Sequence, residues 1–216
     1  MIIAIDGPSG TGKSTVARTL ADRLGFQYID TGAMYRALAW ALLEKKIDIE
    51  KDPAFEEKLK AVCISFDASG NILVDGRDVS PFIRTNFIGQ AASDISKLSP
   101  VRRHLVHLQQ EMGREGHVVM EGRDIGTKVF PGAALKFFLT ADPAVRGERR
   151  YKELKTKGES ANLETVTLEV QKRDKQDRER EDSPLVKASD AIEIDTTHLN
   201  IKEVVQKLIS FIEKSE

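Results

Sequence analysis

Gly7-Pro8-Ser9-Gly10-Thr11-Gly12-Lys13-Ser14 follows the apolar run Met1-Ile2-Ile3-Ala4-Ile5 and precedes a stretch with helical periodicity. That is the setting in which the spacing GxxxxGK[ST] binds phosphate. Glycines at both ends let the backbone curl with its N–H groups turned inward, Lys13 supplies a cation for the β- and γ-phosphates, and Ser14 offers a hydroxyl to Mg²⁺. A nucleoside triphosphate is the ligand these residues imply.

A second group of residues suits an anion of another kind. Arg173, Asp177 and Arg180 lie at i, i+4 and i+7, so a helix would place them on one face. Further arginines stand at expected element ends: Arg36, Arg84, Arg102 and Arg123. Ligands of doubly wound sheets sit at the carboxyl ends of strands, where Thr31, Arg123 and Asp124 fall. Cys63 and the histidines His104, His107, His117 and His198 show no spacing for a metal site or a nucleophilic triad. An acceptor that is itself a phosphate explains this pattern, because a monophosphate is mostly dianionic at neutral pH and attacks without a general base. Such a reaction needs charge neutralisation, alignment and exclusion of water, and the planar fork of arginine suits that work.

These residues need a frame, and the hydrophobic pattern supplies one. Val16, Ala17, Leu20, Ala21 and Leu24 trace one helix face that ends at Gly25. Phe26–Ile29 reads as a strand leading to Asp30-Thr31-Gly32 and a helix over 33–46. Val118–Met120 closes on Glu121-Gly122-Arg123-Asp124, and Leu135–Leu139 closes on Asp142-Pro143, a helix start. Ala191–Ile194 reads as a last strand, before a helix carrying Ile201, Val204, Val205, Leu208 and Ile212. Strands alternating with helices predict a P-loop α/β fold of three layers, α/β/α, around a parallel central sheet. Residues 62–79 break the rhythm: Val62, Ile64 and Phe66 alternate, a turn follows at 68–71, and Ile72 and Val74 alternate again, which predicts a small antiparallel inserted subdomain. Charge dominates residues 146–160 and 169–182, the candidate helical lid.

The whole chain, 216 residues, carries a formal charge of -1 with 31% charged residues, which excludes the global basic field that drives nucleic-acid binding. A single cysteine cannot form an internal disulfide, and no apolar run approaches the span of a bilayer. The chain opens on a core strand, without the pattern of a signal peptide. The expectation is a cytoplasmic monomer with small-molecule substrates, no nucleic acid and no membrane.

Six blocks, read in order, carry a resemblance that covers essentially the whole chain. Gly7-Pro8-Ser9-Gly10-Thr11-Gly12-Lys13-Ser14-Thr15, Asp30-Thr31-Gly32-Ala33-Met34-Tyr35-Arg36, Ile83-Arg84-Thr85, Val101-Arg102, Glu121-Gly122-Arg123-Asp124-Ile125-Gly126-Thr127 and Arg173-Asp174-Lys175-Gln176-Asp177-Arg178 together resemble the bacterial cytidylate kinases. The phosphate loop is common to many families, whereas the Gly-Arg-Asp-Ile-Gly-Thr block and the inserted sheet are much more specific. The resemblance implies transfer of the γ-phosphoryl group of ATP, with Mg²⁺, to CMP or dCMP. It implies that Gly7 to Thr15 bind ATP, and that Ser93, Arg102 and Asp124 read the cytosine. Arg173 and Asp177 would approach the sugar, and Arg36, Arg123 and Arg180 would hold the acceptor phosphate, with Thr31 and Tyr35 in the same substrate-binding set. Lys13, Arg123, Arg173 and Arg180 become the catalytic group, and Ser14 the metal ligand. The family plan also implies a core of about residues 1–30, 101–145 and 183–216, a monophosphate-binding region of about 31–100 with its insert at about 62–85, and a lid of about 146–182. Arg146, Arg149 and Arg150 at the lid's start are candidates to reach ATP on closure.

Two other classes remain open to the residues alone. A P-loop kinase for UMP or a hydroxyl-bearing metabolite would need a positioned base, for which Asp6 or Asp30 is available. A nucleotide-driven switch is the other, although the Asn-Lys-x-Asp base-reading motif is absent and Asp67-Ala68-Ser69-Gly70 is more simply a hairpin turn.

Overall fold

The computed structural model describes residues 1–49, 51–156 and 158–214. In chain order the elements are β1 (Ile2–Asp6), α1 (Lys13–Leu24), β2 (Gln27–Asp30), α2 (Thr31–Glu44), α3 (Phe55–Lys60), β3 (Ile64–Phe66), β4 (Ile72–Val74), β5 (Arg77–Asp78), α4 (Asn86–Ile95), α5 (Ser99–Met112), β6 (Val118–Gly122), a π-helical turn (Ile125–Val129), β7 (Leu135–Thr140), α6 (Pro143–Thr156), α7 (Leu163–Glu179), β8 (Ile192–Asp195) and α8 (Ile201–Ile212). They group into two compact units, one of Met1–Tyr28 with Glu115–Glu216 and one of Ile29–Arg114.

The first unit is built on a five-stranded parallel sheet of order β2-β6-β1-β7-β8. The uninterrupted apolar run Ile3-Ala4-Ile5 is fully buried, as a central strand covered on both faces requires. β1 pairs in parallel with β6 and β7, and this register sets Asp6 beside Gly122 and Phe138 at the strands' carboxyl ends. Val16, Ala17, Leu20 and Ala21 of α1 pack with Val204, Val205, Leu208 and Ile212 of α8 in the core that includes Ile3, Ile5, Val119, Phe137 and Leu139. Each large apolar side chain buried in this way contributes about 1.5–3 kcal/mol. α8 starts on a capping box: the Glu203 N–H donates to Asn200 Oδ1 at 3.1 Å while the Asn200 N–H donates to Glu203 Oε2 at 2.8 Å.

The α/β class expected from the hydrophobic rhythm is therefore the class observed. Element ends differ by a few residues, for local reasons. α2 begins at Thr31 rather than residue 33 because the Asp30 side chain accepts from the Ala33 N–H at 2.8 Å and caps the helix there. It ends at Glu44, and Lys46 takes a left-handed φ of 52°. α6 and α7 begin before the charged stretches, at Pro143 and Leu163, and end within them, at Thr156 and Glu179, so that 158–160 and 180–182 lie outside both helices.

In the second unit, β3, β4 and β5 form the antiparallel sheet, in the register Ile64↔Val74, Ser65↔Leu73 and Phe66↔Ile72. Hydrophobic alternation located the first two strands. The third, Arg77–Asp78, has no apolar residue to betray it and is held by its pairing to Leu73 and Val74. Asp67 Oδ1 accepts from the N–H groups of Ser69 and Asn71, and Gly70 has φ 77°, so Asp67-Ala68-Ser69-Gly70 is a hairpin turn.

Candidate functional site

The phosphate loop joins β1 to α1, and its shape follows from its glycines. Gly7, Gly10 and Gly12 have φ of 147°, 79° and 88°, all in the region that side chains avoid. Space restricts two of them further: a Cβ on Gly7 would lie 2.2 Å from the Leu139 carbonyl oxygen, and one on Gly10 would lie 3.0 Å from Arg146. Gly12 caps α1 with no side-chain hydrogen bond, so the first N–H groups of the helix are directed at the loop as an anion site. Lys13 is buried, and its Nζ donates to the Pro8 carbonyl at 2.7 Å and reaches Thr11 Oγ1 at 3.5 Å. Burial, and next the Arg123 guanidinium, lower its pKa to about 7 against the opposing pull of Glu121, Asp6 and Asp177. Ser14 and Thr15 are exposed on the first turn of α1.

Ser9 is gripped from outside the loop by residues that sequence reasoning did not place there. Arg146 Nη1 donates to the Ser9 carbonyl at 3.0 Å, and the Ser9 N–H donates to Asp174 Oδ1 at 3.3 Å. Arg146 and Asp174 are themselves ion-paired and buried, and Arg146 Nε donates to the Ala141 carbonyl at 3.0 Å. The available signal was that Asp174 precedes Asp177 by three residues and therefore shares its helix face. Arg149 donates to the Thr196 carbonyl at 2.6 Å, and Arg150 pairs with Glu153 at 2.8 Å.

Three of the six arginines of the predicted cluster, Arg123, Arg173 and Arg180, lie in this same unit. Arg123 Nε donates to Asp177 Oδ2 at 2.9 Å, and Arg180 Nη1 lies 3.6 Å from Asp177 Oδ1. Arg180 Nη2 lies 3.7 Å from Asp124 Oδ1, and its Nε donates to the Ser183 carbonyl at 2.6 Å. Burial pushes the Asp177 carboxyl up, but Arg123, Arg173 and Arg180 together hold it below the ordinary carboxylate range. Arg123 is costly to bury, yet Asp177, Glu121 and Asp174 keep it firmly protonated. Asp124 stands at the start of the π-helical turn without capping it. Glu121, on the adjacent strand end, accepts from the Tyr28 hydroxyl at 2.7 Å.

The remaining predicted residues belong to the second unit. Thr31 is buried at the start of α2, and Arg36 one turn later pairs with Asp30 at 3.2 Å. Arg102 on α5 is 2% exposed; its guanidinium lies 5.7 Å from the Tyr35 ring centroid, and Nη1 donates to the Ser96 carbonyl at 3.3 Å. Ser93 is buried on α4, and its carbonyl accepts from Ser96 Oγ at 2.7 Å. Ser93, Ser96, Arg102 and Tyr35 are thus linked within one neighbourhood, although Tyr35 and Arg102 are 67 positions apart in the chain. Arg84 is exposed.

A parallel sheet whose first strand feeds a glycine loop and a buried lysine, with carboxylate-braced arginines in the same unit, defines a P-loop kinase. The cytidylate kinase family profile matches residues 3–214. A cytidylate kinase of Bacillus cereus (strain B4264) is 49% identical over 213 residues, covering 97% of this chain and 95% of its own. One of Bacillus thuringiensis (strain Al Hakam) is 48% identical over the same length. This chain belongs to the cytidylate kinase family. A gluconokinase from Sinorhizobium meliloti 1021 aligns structurally at a TM-score of 0.50 with 14% identity, over 98% of this chain and 91% of the other, a likeness of fold alone.

Proposed function

We propose that this protein transfers the γ-phosphoryl group of ATP to CMP or dCMP, giving ADP and CDP or dCDP, with its site residues dividing the work as follows. Gly7 to Thr15 hold the ATP phosphates, and Lys13 follows the transferring group. Ser14 suits Mg²⁺, which takes most of its ligands from water and substrate phosphates and needs only a hydroxyl from the protein. Held there, the ion would supply positive charge to offset that of the transferring phosphates. Arg36, Arg123 and Arg180 hold the acceptor phosphate, Arg123, Arg173 and Arg180 neutralise charge that develops in transit, and Arg173 and Asp177 approach the sugar. Asp124 accepts from the exocyclic amine of cytosine, while Arg102 and Ser93 donate to its ring acceptors, and Thr31 and Tyr35 belong to the same substrate-binding set. Uracil presents a carbonyl where cytosine presents the amine, so a fixed carboxylate discriminates against UMP.

The observation that carries this reading is the braced charge in the unit of the phosphate loop: Lys13 is buried, Arg123 donates to Asp177 at 2.9 Å, and Arg180 stands 3.6 Å from the same carboxylate. Two polyanions can be brought together only where such charge is prearranged. Asp6 is unsuited to the role of base for a hydroxyl acceptor, since both its oxygens already accept backbone N–H groups. Helices α6 and α7 form the lid of the proposal, closing over bound nucleotides. The proposal places the protein in the cytoplasm, where a single unpaired cysteine stays reduced, and in pyrimidine nucleotide metabolism, as the CMP and CDP of the proposed reaction imply. The proposal includes a monomer, which sedimentation checks directly.

The test is ADP production from Mg·ATP with CMP, dCMP, UMP, AMP or GMP as sole acceptor, beside a tube without acceptor. Turnover that depends on CMP and dCMP and is much weaker with UMP is the expected result. Equal ADP release in every tube would make the protein an acceptor-independent ATPase.

A further inference from the structure

Asp6 ends β1, immediately before the first glycine of the phosphate loop, and is 5% exposed. Its two oxygens are spent on one short segment 119 and 120 residues away: Oδ1 accepts from the Ile125 N–H at 2.9 Å and Oδ2 from the Gly126 N–H at 2.7 Å. These N–H groups open the π-helical turn, before its own bonds begin, where the Lys128 N–H donates to the Asp124 carbonyl at 2.8 Å and the Phe130 N–H to the Ile125 carbonyl at 2.7 Å. Without a partner from elsewhere they would be buried donors left unmade, a cost no compact turn can absorb. A Cβ on Gly126 would meet Asp6 Oδ2 at 3.4 Å, an ordinary contact, and Cδ of Lys136 at a tighter 3.1 Å.

We propose that Asp6 is the positioning residue for the acceptor side of the reaction: its carboxylate clamps the Ile125–Gly126 backbone and so fixes the preceding Arg123 and Asp124 relative to the phosphate loop. The clamp is what lets residues on two strand ends, β1 and β6, act as one rigid surface. It rests on the proposed role of Asp124 in reading cytosine only for its kinetic consequence, since the clamp itself is a backbone matter. A carboxylate is needed because it alone offers an acceptor to both N–H groups; an amide would turn a donor toward one of them.

The charged groups acting on Asp6 are Lys13 from α1 and Asp124 from the turn; Lys136 of β7 passes Gly126 with its aliphatic chain, and its Nζ pairs with Asp190 at 2.7 Å. Burial raises the Asp6 pKa to about 6; the Gly126 and Ile125 N–H groups oppose the rise, Asp124 adds to it and Lys13 opposes it. Protonation removes an acceptor from the clamp, so the Ile125 and Gly126 amides should lose protection from hydrogen exchange as pH falls through about 6. The phosphate of CMP titrates in the same range, so the pH dependence is read on nucleotide-free protein by amide exchange and not by turnover.

The experiment compares wild type with Asp6→Asn. Expected are loss of protection at Ile125 and Gly126, abolition of the pH dependence of that protection, and a fall of tenfold or more in kcat/KM for CMP with KM for ATP within about twofold. Unchanged protection at the two amides overturns the proposal, as does an equal loss for CMP and ATP. Should Asp6→Asn not fold, the wild type decides alone: protection at Ile125 and Gly126 that stays constant as pH falls through about 6 overturns the clamp. Asp124→Asn runs alongside: an unchanged KM for CMP there defeats the base-reading role, while the amide protection of Asp6→Asn still decides the clamp.

Discussion

Lys13 shows how a functional residue departs from what stability alone would select. Its ammonium is buried beside Arg123, and the pull of Glu121, Asp6 and Asp177 does not offset that cost, so its pKa falls to about 7. A lysine depressed in the folded state is released from a penalty as pH rises: below about 7 the buried charge costs stability, and the cost fades between about 7 and the ordinary lysine value of 10.5. Lys13→Met, which keeps the length and drops the charge, should therefore stabilise the nucleotide-free protein by about 1–2 kcal/mol at pH 6 and by much less at pH 9. The same variant should lose phosphoryl transfer by about a thousandfold, on the scale of removing a prearranged transition-state contact. Urea unfolding at the two pH values and ADP release check the two halves, and near wild-type turnover would sink the role given to Lys13. Asp177 is the reverse case, since three arginines hold it ionised despite its burial.

At the level of elements, the α6–α7 pair and its grip on the phosphate loop matter most. Gly147 on α6 meets α7 so closely that a Cβ there would stand 2.2 Å from Thr167 Oγ1 and 3.0 Å from the Thr167 Cα. One contact is backbone, so rotamer changes cannot relieve it and the helices must part. Arg146, one residue earlier, joins the Ser9 carbonyl to Asp174 on α7, which ties that spacing to the loop. Gly147→Ala should therefore cost about 1–3 kcal/mol, as overpacking does, and raise KM for ATP more than KM for CMP. Chemical denaturation and initial rates measure both, and wild-type stability in the variant would show that the helices are free to adjust. The sequence marked these helices by charge, by the Asp142-Pro143 start and by the spacing of Arg173, Asp177 and Arg180. Within the run of Lys, Arg, Asp and Glu, only the three-residue step to Asp177 sets Asp174, buried against Arg146, apart from Lys175, exposed beside it.

For the whole molecule, the telling quantity is how far ligands stabilise it. The cations Lys13, which is buried, and Arg123 and Arg180, which are half-buried, suit anionic ligands, and a ligand that binds only the folded state at a hundred times its Kd adds about 2.7 kcal/mol. For a chain of this size that raises Tm by about 5–10 °C. Mg·ATP and CMP added singly should each produce such a shift, read by calorimetry, whereas a shift from ATP and none from CMP at any concentration would leave the acceptor site without support.

The sequence by itself determined the phosphate loop, the parallel strand and helix rhythm, the inserted hairpin and the family, because each is written in short-range spacing: glycines where the backbone must take positive φ, apolar residues at period 2 or 3.6, caps beside helices. It also singled out Arg123, Asp177 and Arg180, two of them through a helical repeat. Only the tertiary structure decided which charges brace which. Asp6 reaching Ile125 and Gly126, Asp174 reaching Ser9 and Arg146, and Tyr28 reaching Glu121 span from 28 to 165 positions of chain. Such partners are chosen by strand register and helix packing, and burial then makes each unpaired alternative too costly to persist. The residue types carry no record of that choice until the chain has folded.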